Sequence, residues 1–217
     1  MNVRPALLAL GALALAFVFY SAAVAAGTTT STDHAVAALM SHVWLPQVAA
    51  LAQWVAFLGG VDLTIAITVG LGVYLYRLGF RQELWALAAL PLSVVVELVY
   101  KLLMQHPQPF GNGHQDAPSL TMLLGRGIAI HNSYPSGHAA RAVLVYGLLA
   151  FVILRLARPA LWRRLAIPAA AVIIGLVALD RLYLGVHWTS DVIGGLLLGA
   201  LALTAAVVWL DQPRRIS

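Results

Sequence analysis

Apolar positions along the chain gather into six long runs separated by polar breaks: residues 5–26, about 61–77, 83–104, about 138–157, about 165–182 and about 187–210. Each approaches the roughly 20 residues that a helix needs to cross the hydrocarbon of a bilayer. In lipid a helix satisfies its own backbone groups. The pattern therefore predicts an all-α polytopic membrane protein with six transmembrane helices. Between Asp33 and Leu58 the apolar residues are interrupted by His34, His42, Pro46 and Gln53. That predicts one or two helices lying in the interface after the first span, with Trp44 and Trp54 at headgroup depth. Residues 27–34 read as a Thr/Ser-rich connector, and Asp62 as the cap of the second span. Pro91 falls inside the third run, tolerated there or kinking it. Residues 105–136 are polar, rich in Gly, Pro and His, and too long for a plain turn.

Composition strengthens this picture. The chain is 61% hydrophobic and 10% charged, and a soluble fold of 217 residues could not hide so much apolar surface in one core. No internal repeat divides it, so residues 1–217 read as a single membrane domain. The first run ends in small residues, Ala22 to Gly27, as a cleaved signal peptide would. It is longer than a signal core, so an uncleaved helix over 1–26 is preferred. There is no cysteine, hence no disulfide and no thiolate metal site. The net charge of +5 comes from arginines that flank the apolar runs, which points to membrane orientation and not to nucleic acid.

Arg4, Arg77 with Arg81, the Arg155/Arg158/Arg163/Arg164 loop and the Arg214/Arg215 tail are separated by even numbers of spans. All therefore lie on one side, which the positive-inside rule makes cytoplasmic, with both termini inside. The richness in Ala, Gly and Arg suggests a bacterial inner membrane. Lys101, Arg126, Arg141 and Arg181 then belong to the outer half. Lys101, His138, Arg181 and His187 stand at the outer ends of spans three to six, so four helix ends bring cations and imidazoles to one level.

Tyr134-Pro135-Ser136-Gly137-His138 has the form of a helix start, with a hydroxyl available as a cap. Such a terminus presents free N–H groups and the positive end of the helix dipole, which suits phosphate. Gly137 admits close approach to the backbone. His187 and Asp191 are four apart at the start of a helix and share a face. A carboxylate there can hold one ring nitrogen as N–H and leave the other with a free lone pair. A structural polar pair remains the alternative. No metal-ligand spacing is present.

Lys101 with Pro109, the Pro135–His138 run, and Arg181-x5-His187-x3-Asp191 together resemble the three signature motifs of the type 2 phosphatidic acid phosphatase family. The resemblance covers about residues 60–205. It implies a cofactor-free enzyme that hydrolyses a lipid phosphate or pyrophosphate, of the undecaprenyl pyrophosphate, phosphatidylglycerol phosphate or phosphatidic acid class. By position, His187 would be the nucleophile and form a phosphohistidine, Asp191 would orient it, and His138 would protonate the leaving oxygen. Lys101, Arg181, Ser136 and Gly137 would hold the phosphate oxygens. The implied partners are the lipid substrate and the surrounding lipids; oligomeric state stays open. A phosphotransferase and a non-catalytic lipid-binding or transport protein are the alternatives.

Two positions depart from the family pattern: Gln108 stands where arginine is usual, and Asp180 where serine is usual. Gln108 keeps one hydrogen bond but no charge. Arg141, three residues after His138, either compensates for that loss or pairs with Glu97, and the pair is the favoured reading. Gly195 and Gly199 read as a helix-packing pattern. His106, His114 and His131 read as solvated or lid residues of the outer loop. Tyr74, Tyr76, Trp85 and Trp209 read as a cytoplasmic aromatic belt.

Overall fold

The computed structural model describes residues 3–109 and 132–210. Arg126, His114, His131 and the Arg214/Arg215 tail lie outside them. The chain is all-helical apart from an isolated bridge between Pro107 and Asn132. Its helices are α1 (Val3–Ala25), α2 (Thr30–His42), α3 (Pro46–Gly59), α4 (Val61–Arg77), a 3-10 turn (Glu83–Ala88), α5 (Ala89–Leu103), α6 (Gly137–Leu156), α7 (Ala160–Tyr183) and α8 (Thr189–Leu210). Among the described residues six segments are long and apolar enough to span a membrane: Pro5–Ala25, Pro46–Arg77, Glu83–Leu103, Gly137–Leu156, Ala160–Tyr183 and Thr189–Leu210.

The second of these holds two helices, α3 and α4. Pro46 opens α3 in its first turn, where its missing N–H is no loss. Gly60, extended at φ −65° and ψ 155°, ends α3 and caps α4. The predicted second span, about 61–77, is α4, and α3 is a helix of the 33–58 stretch where one or two interfacial helices were expected. Its small stripe of Ala49, Ala52 and Ala56 packs on Leu184 and Val186, so α3 is held against the protein. Asp62 is not the cap; it sits in the first turn of α4, where its charge suits the dipole. Pro91 is tolerated, because it stands in the first turn of α5, where N–H groups lack α-helical acceptors. The fifth span starts at Ala160, earlier than its arginines suggested: Arg163 and Arg164 ride exposed on its first turns.

The most buried span is α6, which packs against α3, α4, α5, α7 and α8. Small residues make this possible. A Cβ on Gly195 would meet the Ser136 carbonyl, one on Gly199 the Ala140 carbonyl, and one on Gly147 the Leu203 side chain. The two helices therefore cross at backbone contact, as the glycine spacing predicted. Gly195→Val is expected to force them apart and lower the melting temperature in detergent, at a cost of about 1–3 kcal/mol or more. Gly175→Ala, on a face with nothing within 4 Å, is the neutral control.

Contacts separate the bundle into two ends. At one, Leu71, Leu75, Ala86, Leu148, Val152, Ala206 and Leu210 form a cluster. There Arg155 donates to the Leu210 carbonyl (2.8 Å) and Trp209 Nε1 to the Gln82 carbonyl (3.1 Å). The opposite end carries the polar groups.

Candidate active site

Ser136 caps α6 by position, with φ −69° and ψ 112°, but its hydroxyl makes no capping bond. That buried Oγ has no hydrogen-bond partner among the described residues. The Ser136 N–H donates instead to the Asp191 carbonyl (2.9 Å), joining the start of α6 to the start of α8. The first N–H groups of α6 have no intrahelical acceptor. Beside them lies the Glu97 carboxylate, packed so tightly on Gly137 that a Cβ there would collide with it. Glu97 accepts from Lys101 Nζ (2.8 Å) and from Arg141 Nη1 (3.1 Å). Arg141 also donates through Nε to the Gly59 carbonyl (3.1 Å). The geometry is that of the favoured Glu97–Arg141 pair.

Arg141 Nη2 comes within 3.5 Å of His138 Nδ1. A guanidinium only donates, so Nδ1 accepts and the proton of neutral His138 resides on Nε2. His138 lies within electrostatic range of Lys101, Arg141, Arg181 and His187, so the basic residues of spans three to six do converge.

Arg181 is fully buried and paired with its neighbour, Nη2 to Asp180 Oδ1 at 2.8 Å and Nε to Oδ2 at 3.2 Å. Asp180, the unfamiliar residue of the third motif, thus supplies a counter-charge for a buried guanidinium. Gly185 turns the chain out of α7 at φ +66°, a left-handed conformation that suits glycine. His187 lies in this turn and not in the helix, which begins at Thr189. Its Nδ1 is 3.2 Å from Asp191 Oδ2. The same oxygen accepts the Trp188 N–H at 2.8 Å, a carboxylate in the first turn bonding back to the residue before the helix. With Nδ1–H held by Asp191, Nε2 keeps its lone pair. Trp188 Nε1 in turn donates to the Pro107 carbonyl (2.8 Å), tying the first-motif segment to the third. Gln108, next in that segment, is exposed.

Two residues escaped the sequence reading. His106, expected to be a solvated or lid residue, is folded against the site: its Nδ1 is 3.1 Å from Asp191 Oδ1. Its backbone accepts from the Ser133 N–H (2.7 Å) and hydroxyl (2.9 Å), which draws the loop inward. Its position five residues after Lys101 was the available signal. Asp33, from the apparent connector, is buried in α2 and accepts both the N–H and the hydroxyl of Ser190 at 2.8 Å each. It completes the start of α8 from 157 residues away. Nothing local in the sequence marks it. The α2 side chains Val36, Ala37 and Met40, with Leu182, wall a small cleft that opens beside His187 and Trp188.

Helical spans around a buried His–Asp pair, a helix N-terminus and clustered cations define a class, and the sequence match agrees: residues 82–215 fit the PAP2 superfamily. The chain is a multi-pass membrane protein belonging to that superfamily. It is 29% identical over 198 residues to phosphatidylglycerophosphatase B of Bacillus subtilis (strain 168), covering 87% of this chain and 88% of that one. It is 27% identical over 154 residues to YbjG of Escherichia coli (strain K12), provisionally named an undecaprenyl-diphosphatase, covering 68% of each. Its fold resembles the crystal structure of a transmembrane PAP2-type phosphatidylglycerolphosphate phosphatase from Bacillus subtilis, with a TM-score of 0.77, 24% identity and coverage of 96% of this chain and 98% of that one.

Proposed function

We propose that this protein is a lipid phosphatase that cleaves a phosphate monoester or diphosphate through a phosphohistidine. The observation that carries the reading is the His187–Asp191 contact at 3.2 Å, which leaves Nε2 as the free nitrogen of a ring that shares the surroundings of His138 with three cations. In the proposed reaction Nε2 attacks the terminal phosphorus, and its bond to the lipid oxygen, or in a diphosphate to the bridging oxygen, breaks. The departing oxygen takes a proton from His138, which acts in its doubly protonated form once the phosphate dianion lies beside it. Water then attacks the phosphohistidine, gives up a proton to His138, and inorganic phosphate leaves with His187 restored. Asp191 holds the attacking ring in one tautomer and stabilises the positive charge that forms on it.

The phosphate oxygens would be held by Lys101, Arg181 and the free amides that follow Ser136 at the N-terminus of α6. Glu97 and Asp180 moderate the positive charge before substrate arrives. Gln108 contributes no charge, so the site would bind phosphate more weakly than one with arginine at that position. A charge-assisted hydrogen bond contributes roughly 1.5–3 kcal/mol, or about one to two powers of ten in affinity.

The arginine-bearing end, with Arg77, Arg155 and Arg164, is assigned to the cytoplasm, which turns the site outward to the headgroups of the opposite leaflet. A lipid could then present its phosphate while its chains stay in the bilayer. The test is a phosphate-release panel with purified protein in detergent and a chelator present. Phosphatidylglycerol phosphate, phosphatidic acid and undecaprenyl pyrophosphate are the substrates. Release from at least one is expected, with a trapped phosphoenzyme that is labile to acid and stable to base. No release from any of them rules the reading out.

A further inference from the structure

Asp191 is fully buried and its two oxygens are served unequally. Oδ2 has the His187 ring and the Trp188 N–H, whereas Oδ1 has no aligned donor among the described residues. The group beside Oδ1 is the His106 ring, whose Nδ1 approaches to 3.1 Å. Its N–H is aligned instead with Ser133 Oγ, 3.3 Å away, and that hydroxyl gives its own proton to the His106 carbonyl. A small turn of the imidazole would supply the missing bond. The backbone that carries the ring is held in place: the His106 backbone N–H donates to Asn132 Oδ1 (3.2 Å), and Tyr134 stands edge-on to the ring with centroids 6.3 Å apart.

We propose that His106 is a positioning residue, a second imidazole on the far side of Asp191 that shares the carboxylate with His187 and so sets the pH at which His187 becomes a free nucleophile. This rests on the reading of His187 as the nucleophile. A carboxylate that serves one imidazole alone favours the protonated ring, which cannot attack. A second cation on the same carboxylate draws off part of that attraction and releases the nucleophile at lower pH.

The groups facing His106 allow this. Asp191 from α8 is in contact, and Asp33 from α2 acts at longer range. The Tyr20 phenol of α1 lies within range of both carboxylates. Tyr134, against the His106 ring, is itself held neutral, its pKa pushed up to about 12 by burial. Lys101 directs its ammonium to Glu97. Burial opposes charge on His106, but the nearby Asp191 carboxylate outweighs it and holds its pKa above the ordinary imidazole value. The contact with Asp191 therefore contributes fully below the ordinary imidazole pKa and is lost as pH rises through the raised one.

The experiment compares kcat/KM against pH for wild type, His106→Asn and His106→Lys, with folding checked by size exclusion and melting in detergent. In His106→Asn the acid limb is expected to move up by about one pH unit, a tenfold change in the protonation equilibrium. The loss falls on kcat and not on KM. His106→Lys, a fixed cation, keeps the limb at or below its wild-type position. An unmoved limb in folded His106→Asn, or failure of both variants to fold, overturns the proposal. Titrating the His187 ring by nitrogen-15 NMR reads the same displacement without catalysis. A displaced titration in protein that cleaves no lipid phosphate sinks the phosphatase reading and keeps the pairing; an active enzyme with no displacement does the reverse.

Discussion

His187→Ala is expected to reduce phosphate release by about four to six powers of ten, the scale seen when a nucleophile that works as part of a unit is removed. The fold should survive. Asp191 keeps the Trp188 N–H at 2.8 Å and gains freer access to the His106 ring, so no carboxylate is abandoned in the interior. Substrate binding should change little, because the oxygens would be held by Lys101, Arg181 and the α6 amides. The loss therefore falls on kcat, and the trapped phosphoenzyme disappears. Both are measured on purified protein that elutes and melts like wild type. Turnover that persists undiminished in His187→Ala removes this residue from the role of nucleophile, whatever the rest of the site does.

The broad architecture was legible because lipid imposes simple rules. Runs of apolar residues had to become helices, and the arginines divided the two ends. That parity alone set Lys101, His138, Arg181 and His187 at one level, and their electrostatic proximity follows. The spacing of Gly195 and Gly199 likewise announced a close helix crossing, since only glycine lets the backbones meet. What escaped depended on partners far apart in sequence. Asp33 meets Ser190 across 157 positions, and a connector rich in Thr and Ser gives no reason to single out one carboxylate. His106 looked like any loop histidine because its burial is created by Ser133 and Asn132, which return from the far side of a long polar stretch. For α3 the pattern missed the packing and not the helix. Gln53 and Pro46 dilute the apolar run, while the Ala49/Ala52/Ala56 stripe, invisible to a hydropathy count, packs α3 on the α7–α8 turn.

Arg141→Ala is expected to be the most destabilising single change at the site, at about 3–5 kcal/mol, because it leaves a buried carboxylate short of a partner. Glu97 would keep Lys101 at 2.8 Å but lose the guanidinium at 3.1 Å, and the Gly59 carbonyl would lose its donor. Glu97→Gln keeps the shape and one acceptor oxygen and should cost less. Removing both charges together, as Glu97→Gln with Arg141→Met, should restore part of the loss, since neither partner then remains charged and alone. The cycle is measured as melting temperature in detergent, with a coupling on the order of 1–3 kcal/mol expected. KM for a lipid phosphate, taken on folded Arg141→Ala, decides between the two roles of this arginine. Values within about threefold of wild type, alongside a lowered melting point, place Arg141 with Glu97 in the scaffold. A wild-type melting point with KM raised tenfold or more would place it on the phosphate, as the stand-in for the charge that Gln108 lacks.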